Sequence, residues 1–194
     1  MSDTTRDFYR RTNRSFADLA RTIGDDQWAR PTPCREWDVR ELLNHLASEA
    51  MWTAPLLEGA TLEEIGSRFD GDVLGEDPRA TFAKTADEAL DAVDGASMDR
   101  LVHLSAGDTP AARYVAELTL DFLVHGWDLA KGIGADATMD PEVSETMLMA
   151  LGPFEPMLRS SGLFGERVPT DEADGVQVRL LGLLGRRADW RPPA

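Results

Sequence analysis

The chain has 194 residues, of which 42% are hydrophobic, enough to form the core of one domain and too many for global disorder. Its formal net charge is −15, with 35 acidic residues against 20 basic ones. Binding to a phosphate backbone or to an anionic membrane depends on clustered lysine and arginine. The composition therefore argues against nucleic acid and membranes as partners.

The expected location is the cytoplasm. Residues 1–14 are polar and charged and contain no hydrophobic segment of a signal peptide. Cys34 is the single cysteine and cannot form an internal disulfide, which is typical of a reducing compartment. We expect a soluble protein that is a monomer or a homodimer.

Helix signals dominate the first part of the chain. Apolar residues recur at helical spacing over residues 3–22, which predicts the first helix. Prolines interrupt the segment 24–37 that follows. Asp38 is then suited to cap a helix, and Glu41 three residues later completes a capping box. The second helix is predicted to continue to about residue 57.

A long connection separates the second helix from the third. Residues 58–77 contain four glycines, and Asp77 followed by proline marks the start of a helix over 78–95. The pair Thr109–Pro110 repeats this signal and opens a fourth helix over 111–131, which two glycines close. A connection of this length can cross a bundle, so the second and third helices can run in the same direction.

The rest of the chain is predicted to add two shorter helices, over 140–151 and 176–184. No segment shows the alternation that is typical of strands. The predicted class is therefore all-α, with a four-helix bundle over residues 1–135 and a helical extension over 136–194 that packs on it as part of one domain.

An ionisable pair lies inside the apolar fourth helix. Asp121 and His125 are four residues apart, so they project from one face with Cβ atoms about 5–6 Å apart. His45 lies about 10 Å along the second helix and His125 about 9 Å from the end of the fourth. If these helices are antiparallel, the two histidines lie at the same level. The sequence therefore predicts that His45, Asp121 and His125 bind one metal ion.

Three nitrogen and oxygen ligands with an open position are typical of a catalytic zinc site, and Ni²⁺ or Fe²⁺ would accept the same ligands. Asp128 could orient His125 as a hydrogen-bond acceptor, and Glu49 could do the same for His45. The alternative is a core histidine, His125, that is hydrogen-bonded to Asp121 without any metal.

Two other residues carry weaker signals. His103 is predicted to lie in an exposed loop. Cys34 could be a fourth ligand, a reactive thiol or a small buried side chain, and the last is the commonest role of a lone cysteine.

Three segments resemble one known family. Residues 28–46 (WARPTPCREWDVRELLNHL) resemble the N-terminal signature of the mycothiol-dependent maleylpyruvate isomerase family, which belongs to the DinB-like superfamily. Residues 121–130 (DFLVHGWDLA) resemble its second motif. The ending over 164–190, with RLLGLLGR at 179–186, resembles a short-tailed actinobacterial branch of this family.

The resemblance implies a DinB-like four-helix bundle with a crossover between helices two and three. It also implies a divalent metal, bound by His45, Asp121 and His125. The family enzyme has glutamate at the position of Asp121, so the metal distance or denticity can differ here. That enzyme also has a sizeable second domain, whereas the chain after Lys131 is short, so maleylpyruvate is not the predicted substrate.

The leading functional hypothesis is a metal-dependent enzyme that uses a low-molecular-weight thiol such as mycothiol. Its reaction would be transfer of the thiol sulfur to a small electrophilic substrate, or cis–trans isomerisation of that substrate. One alternative is a metal-dependent hydrolase that needs no thiol, because zinc-bound water can reach a pKa near 7. Another is a non-catalytic metal-binding or stress-related protein with the same bundle.

Overall fold

The fold is all-α apart from one small hairpin, and the computed structural model describes residues 2–35, 37–162 and 164–193. The elements are, in order, α1 (Ser2–Arg21), α2 (Val39–Glu58), α3 (Leu62–Ile65), α4 (Pro78–Gly95), β1 (Leu101–Leu104), β2 (Gly107–Pro110), α5 (Ala111–Ile133), α6 (Pro141–Leu151), a 3₁₀ turn (Gly152–Phe154), α7 (Glu155–Ser160) and α8 (Val176–Leu183). Within the described residues, no helix has the length and apolar character that crossing a bilayer would require.

The starts of the main helices follow from local capping. The Asp38 carboxylate accepts a hydrogen bond from the backbone N–H of Glu41, and the Glu41 carboxylate accepts one from the backbone N–H of Asp38, each at 2.9 Å. Asp77 caps α4 and Asp140 caps α6, each with a proline at the start of its helix. The predicted helix boundaries are confirmed to within two residues.

The sequence reading missed the hairpin between α4 and α5. His103 lies in β1 rather than in a loop, and its Nδ1 is 2.7 Å from the Asp108 carboxylate on β2. Each strand has only four residues, too few for an alternating pattern to be recognised. The short helices α3 and α7 were missed for the same reason, since they contain four and six residues.

The connection between α2 and α4 returns along the outer face of α2. The Ser48 hydroxyl donates to the carbonyl of Phe69 at 3.0 Å, and the Arg40 guanidinium donates to the carbonyl of Gly75 at 3.1 Å. Between these two points, the Asn44 side chain bonds the same connection. Successive residues of the connection therefore contact successively earlier residues of α2. The connection runs back towards the N-terminus of α2, and α4 begins at the same end of the bundle as α2. The predicted crossover is confirmed.

The helices enclose two apolar clusters that share α5. The larger one fills the space between α1, α2, α4 and α5. The smaller one joins the outer face of α5 to α6 and α8. Its members on α5 are Leu120, Leu123, Val124 and Trp127, and those on α6 and α8 are Val143, Met147, Leu180 and Leu181. This second cluster fixes the C-terminal segment against the helix that carries Asp121 and His125.

Packing of the C-terminal segment against the rest of the protein requires a glycine inside α8. Alanine in place of a helical glycine ordinarily stabilises by about 0.5–1 kcal/mol. A Cβ at Gly182, however, would lie 2.7 Å from the Val168 carbonyl oxygen and 2.6 Å from a Thr170 methyl carbon. We therefore expect Gly182→Ala to lower the free energy of unfolding in urea. Gly126→Ala on α5 is the matched control, because its Cβ would meet only the Phe16 ring at 3.7 Å. Equal stability changes in the two variants would contradict this prediction.

Candidate functional site

The imidazoles of His45 on α2 and His125 on α5 face each other. Their ring centroids are 5.3 Å apart and the ring planes meet at 80°. His125 is 7% exposed and His45 is half-buried. The two histidines therefore lie at the same level of the bundle, as regular helix geometry predicts.

Two carboxylates lie one turn from the histidine pair. Glu49 follows His45 by four residues, and Asp121 precedes His125 by four. The charge of Asp121 raises the pKa of Glu49, so the two carboxylates interact electrostatically. The facing of residues 45 and 125, together with this interaction of residues 49 and 121, fits an antiparallel arrangement of α2 and α5. Both carboxylates consequently lie on the same side of the histidine pair.

Asp128 fixes the orientation of the His125 ring. Its Oδ2 atom is 3.0 Å from His125 Nδ1 and 3.0 Å from Arg186 Nη2. Asp128 is fully buried, and the Arg186 side chain is 12% exposed. Because Asp128 Oδ2 lies within hydrogen-bond distance of both groups, it can accept a hydrogen bond from Nδ1–H of His125, which leaves Nε2 with its lone pair available as a ligand.

Trp37 covers the two histidines. Its ring stacks on His45 with centroids 4.4 Å apart and planes inclined by 27°, and it lies 5.5 Å from the His125 ring. Burial, and then the nearby His125, lower the pKa of His45 to about 4. His45 is therefore neutral near pH 7, which is the form of imidazole that binds metals.

The two carboxylates lack compensating partners. Within the described part of the chain, neither the Glu49 nor the Asp121 side chain makes a hydrogen bond or an ion pair. Burial and then the charge of Asp121 raise the pKa of Glu49 to about 7. Burial also raises the pKa of Asp121, although the nearby His125 opposes this change. Among the residues that the structure describes, the buried Tyr114 hydroxyl on α5 also has no hydrogen-bond partner. Such uncompensated groups are typical of a site that binds a further species.

The sequence prediction grouped His45, Asp121 and His125 as ligands. Among the residues that the structure describes, the one set of three whose ligand atoms lie within 4.8 Å of one another is different: Cys34, His125 and Asp128. At least one of the predicted ligands would therefore have to change rotamer for all three to bind one ion. The predicted triad remains a prediction.

The compact set is poorly suited to hold a cation. Asp128 already accepts hydrogen bonds from His125 and Arg186 through one oxygen. A cation between Cys34, His125 and Asp128 would lie beside the Arg186 guanidinium and be repelled by it. On the side of His125 that faces His45, the ring contacts given by the described residues are those with His45 and Trp37, and neither is an arginine or a lysine. The donor set on that side, imidazoles and carboxylates, suits zinc, nickel or iron.

Sequence reasoning missed Arg186 and the position of Trp37. Arg186 follows α8 and meets Asp128 across 58 positions of sequence, a contact that no local pattern encodes. Trp37 lies just before the Asp38 cap, and the stack on His45 was not foreseen. Asp128 was foreseen as an acceptor for His125, and the structure shows this hydrogen bond. Glu49 was expected to orient His45, and the described structure contains no hydrogen bond between the two.

The raised pKa of Glu49 predicts a pH-dependent stability for the metal-free protein. The folded state keeps the Glu49 proton up to about pH 7, whereas the unfolded chain releases it near pH 4.5. The stabilisation due to this proton is complete below pH 4.5 and is lost as the pH rises through 7. Between pH 4.5 and about pH 8, Glu49→Gln should therefore gain up to about 3 kcal/mol of unfolding free energy relative to the unsubstituted protein.

Urea unfolding at a series of pH values, with a chelator present, measures this gain. Glu117→Gln is the control, because Glu117 is an exposed carboxylate on the same helix as Asp121 and pairs with Arg113. The prediction would be contradicted if the difference in unfolding free energy between Glu49→Gln and the unsubstituted protein did not change with pH.

Comparison with known families shows to which family this chain belongs. A family model described as the mycothiol maleylpyruvate isomerase N-terminal domain matches residues 9–130. The chain belongs to this family. The match spans α1 to α5 and includes both histidines and both carboxylates of the site, so the mycothiol maleylpyruvate isomerase N-terminal domain is the unit that carries these four residues.

Relatives and solved structures extend this family likeness to most of the chain. Proteins described as uncharacterized, from two strains of Mycobacterium tuberculosis, are each 29% identical over 184 residues, or 92% of this chain and 95% of theirs. The crystal structure of the mycothiol-dependent maleylpyruvate isomerase aligns with a TM-score of 0.65 and 15% identity, covering 90% of this chain and 78% of that one. A histidine-to-alanine mutant of that isomerase gives 0.67 and 14%, with the same coverage. At this identity the likeness shows a shared fold.

Proposed function

We propose that the protein is a metal-dependent enzyme that uses mycothiol or a similar small thiol. Its reaction would be S-transfer to a small electrophile, or cis–trans isomerisation of that electrophile. The observation that carries the proposal is the facing pair His45 and His125, within the part of the chain that matches the family. Mycothiol enters from the names of the family and of the solved isomerase, and the metal from the donor set of the site.

In this proposal His45, Asp121 and His125 hold a divalent cation, with zinc favoured and nickel or iron as alternatives. The fit rests on two imidazoles that face each other and on two carboxylates whose side chains make no hydrogen bond or ion pair within the described residues. When bound, such a cation would lower the pKa of a thiol and hold it as the nucleophilic thiolate.

The surrounding residues would prepare the site for this chemistry. Asp128 holds His125 in one tautomer, so that Nε2 remains available. Trp37 lies over both imidazoles and would shield the thiolate from water on that side. Arg186 donates a hydrogen bond to the same oxygen of Asp128 and so holds this carboxylate in place beside His125.

Thiol-dependent isomerisation needs only one reversible covalent step. The thiolate would add to one carbon of a cis double bond that is conjugated with a carbonyl group, and the electron pair of the double bond would move onto the carbonyl oxygen as an enolate. After rotation about the resulting single bond, return of this electron pair would restore the double bond and expel the thiolate. In S-transfer, a proton from water would instead be added to the enolate carbon, and the carbon–sulfur bond would remain. In both reactions the protein orients two small molecules and excludes water.

Calorimetric titration of zinc-loaded protein with mycothiol tests the proposal. We expect saturable binding to the loaded protein and none to the metal-free form or to His45→Ala. A screen that pairs mycothiol with small electrophiles should then reveal turnover that stops when the thiol is left out. Turnover without thiol would instead favour the hydrolase. Metal binding without any thiol binding would favour a non-catalytic protein, and either result would overturn the thiol-dependent activity.

A further inference from the structure

We propose that Glu49 is a fourth metal ligand, so that the site binds its cation through two histidines and two carboxylates. The juxtaposition of His45 and Glu49 on α2 with Asp121 and His125 on α5 points to this arrangement. The inference rests on the proposed metal site and adds a fourth ligand to it. This ligand lies on α2, so the spacing of Asp121 and His125 along α5 does not identify it.

Helix geometry places the four side chains on two facing helix surfaces. Residues four apart on a helix project from the same face, about one turn apart along the axis. His45 and Glu49 therefore form one such pair and Asp121 and His125 form another. The two helices are antiparallel, and the His45 and His125 rings are in contact. This symmetry places Glu49 and Asp121 at the same level of the two helices, beside the imidazoles, and a change of rotamer would be needed to bring their ligand atoms onto one ion.

The negative charges of Glu49 and Asp121 also favour a shared cation. Glu49 is half-buried, and the charged group that acts on it is another carboxylate, Asp121. Two carboxylates in such an environment repel each other and are costly to bury. In the described structure neither accepts a hydrogen bond that would offset this cost. Arg186 acts on Asp121 from the side of Asp128, and it does not act on Glu49.

A divalent cation removes this conflict. Its two positive charges would balance the two carboxylates, while the neutral imidazoles complete the set without adding charge. Buried carboxylates are normally retained when they pair with a cation or coordinate a metal. Without a metal, the alternative is a single proton shared between the two carboxyl groups, in which case Glu49 would not be a ligand.

Metal affinity and the spectrum of a cobalt-substituted protein distinguish these two arrangements. We expect Glu49→Gln to weaken zinc binding at least tenfold in a competition titration with a chelator, because a ligand is lost. We also expect it to change the visible absorption of bound Co²⁺, which reports the donor set and the coordination number. Glu117→Gln is the matched control: it removes a neighbouring negative charge that acts on Asp121 without removing a ligand. Its affinity should stay within about twofold of the unsubstituted protein, and its cobalt spectrum should not change.

Equal affinities for Glu49→Gln and Glu117→Gln, with unchanged cobalt spectra, would overturn the inference. A weaker affinity of Glu49→Gln with an unchanged cobalt spectrum would overturn it as well, because Glu49 would then act only through its charge. Circular dichroism of each metal-free variant checks that the bundle has folded. Failure of the proposed metal site looks different, because the unsubstituted protein would then bind no zinc or cobalt at all. Failure of the thiol-dependent reaction alone would appear in the mycothiol titration and would leave these metal measurements unchanged.

Discussion

Replacing His125 by alanine is expected to remove bound metal from the protein. The variant keeps Asp128 paired with Arg186 but loses the imidazole that faces His45. Two or three remaining ligands hold zinc far more weakly than a complete set. Elemental analysis after exhaustive dialysis should find about one equivalent of metal in the unsubstituted protein and almost none in His125→Ala.

His103→Ala is the control for this measurement. His103 is an exposed histidine on the hairpin, and it also contacts an aspartate, Asp108. Its loss should leave the metal content unchanged. Equal metal contents in His125→Ala and His103→Ala would contradict the predicted site, and so would an absence of metal from all three proteins. The alternative of a core histidine without metal would then stand.

Replacing Asp128 by alanine is expected to cost about 3–5 kcal/mol of unfolding free energy. The substitution leaves the Arg186 guanidinium, with a side chain only 12% exposed, without its counter-charge. It also leaves Nδ1 of His125 without an acceptor. Breaking a buried ion pair from one side is costly because the remaining charge stays desolvated. Urea unfolding of the metal-free variant measures the loss.

Two further variants make this measurement specific. Asp189→Ala breaks an exposed pair with Arg187, only a few residues further along the same tail, and should leave the stability nearly unchanged. The double variant Asp128→Ala with Arg186→Met should recover much of the loss, because no uncompensated charge remains. If Asp128→Ala is as stable as Asp189→Ala, the buried pair contributes nothing and the prediction is wrong.

Much of the bundle could be predicted because its signals are local. The capping box at Asp38 and the prolines after Asp77 and Asp140 fix the starts of three helices within a few residues. The facing of His45 and His125 followed from counting residues along regular helices. Regular geometry extends a local signal over the length of a helix, and this is why the histidine pair could be foreseen.

The remaining features depend on contacts that sequence spacing does not encode. Arg186 reaches Asp128 only because α8 packs on α5 through the second apolar cluster. Trp37 stacks on His45, and the carboxylate that acts on Glu49 is that of Asp121, on another helix. The hairpin that carries His103 is too short to leave a periodic signal. In each case the decisive partner comes from a different element, and tertiary packing selects it.

The path from His125 through Asp128 to Arg186 has a thermodynamic consequence for the far end of the chain. A ligand that binds the histidine pair more tightly when this path is intact must, by reciprocity, also stabilise the docked tail. Amide protons near residues 180–186 should accordingly exchange more slowly with deuterium once the site is filled. The C-terminal turn would thus report occupancy at a distance, although none of its own atoms touches the bound species.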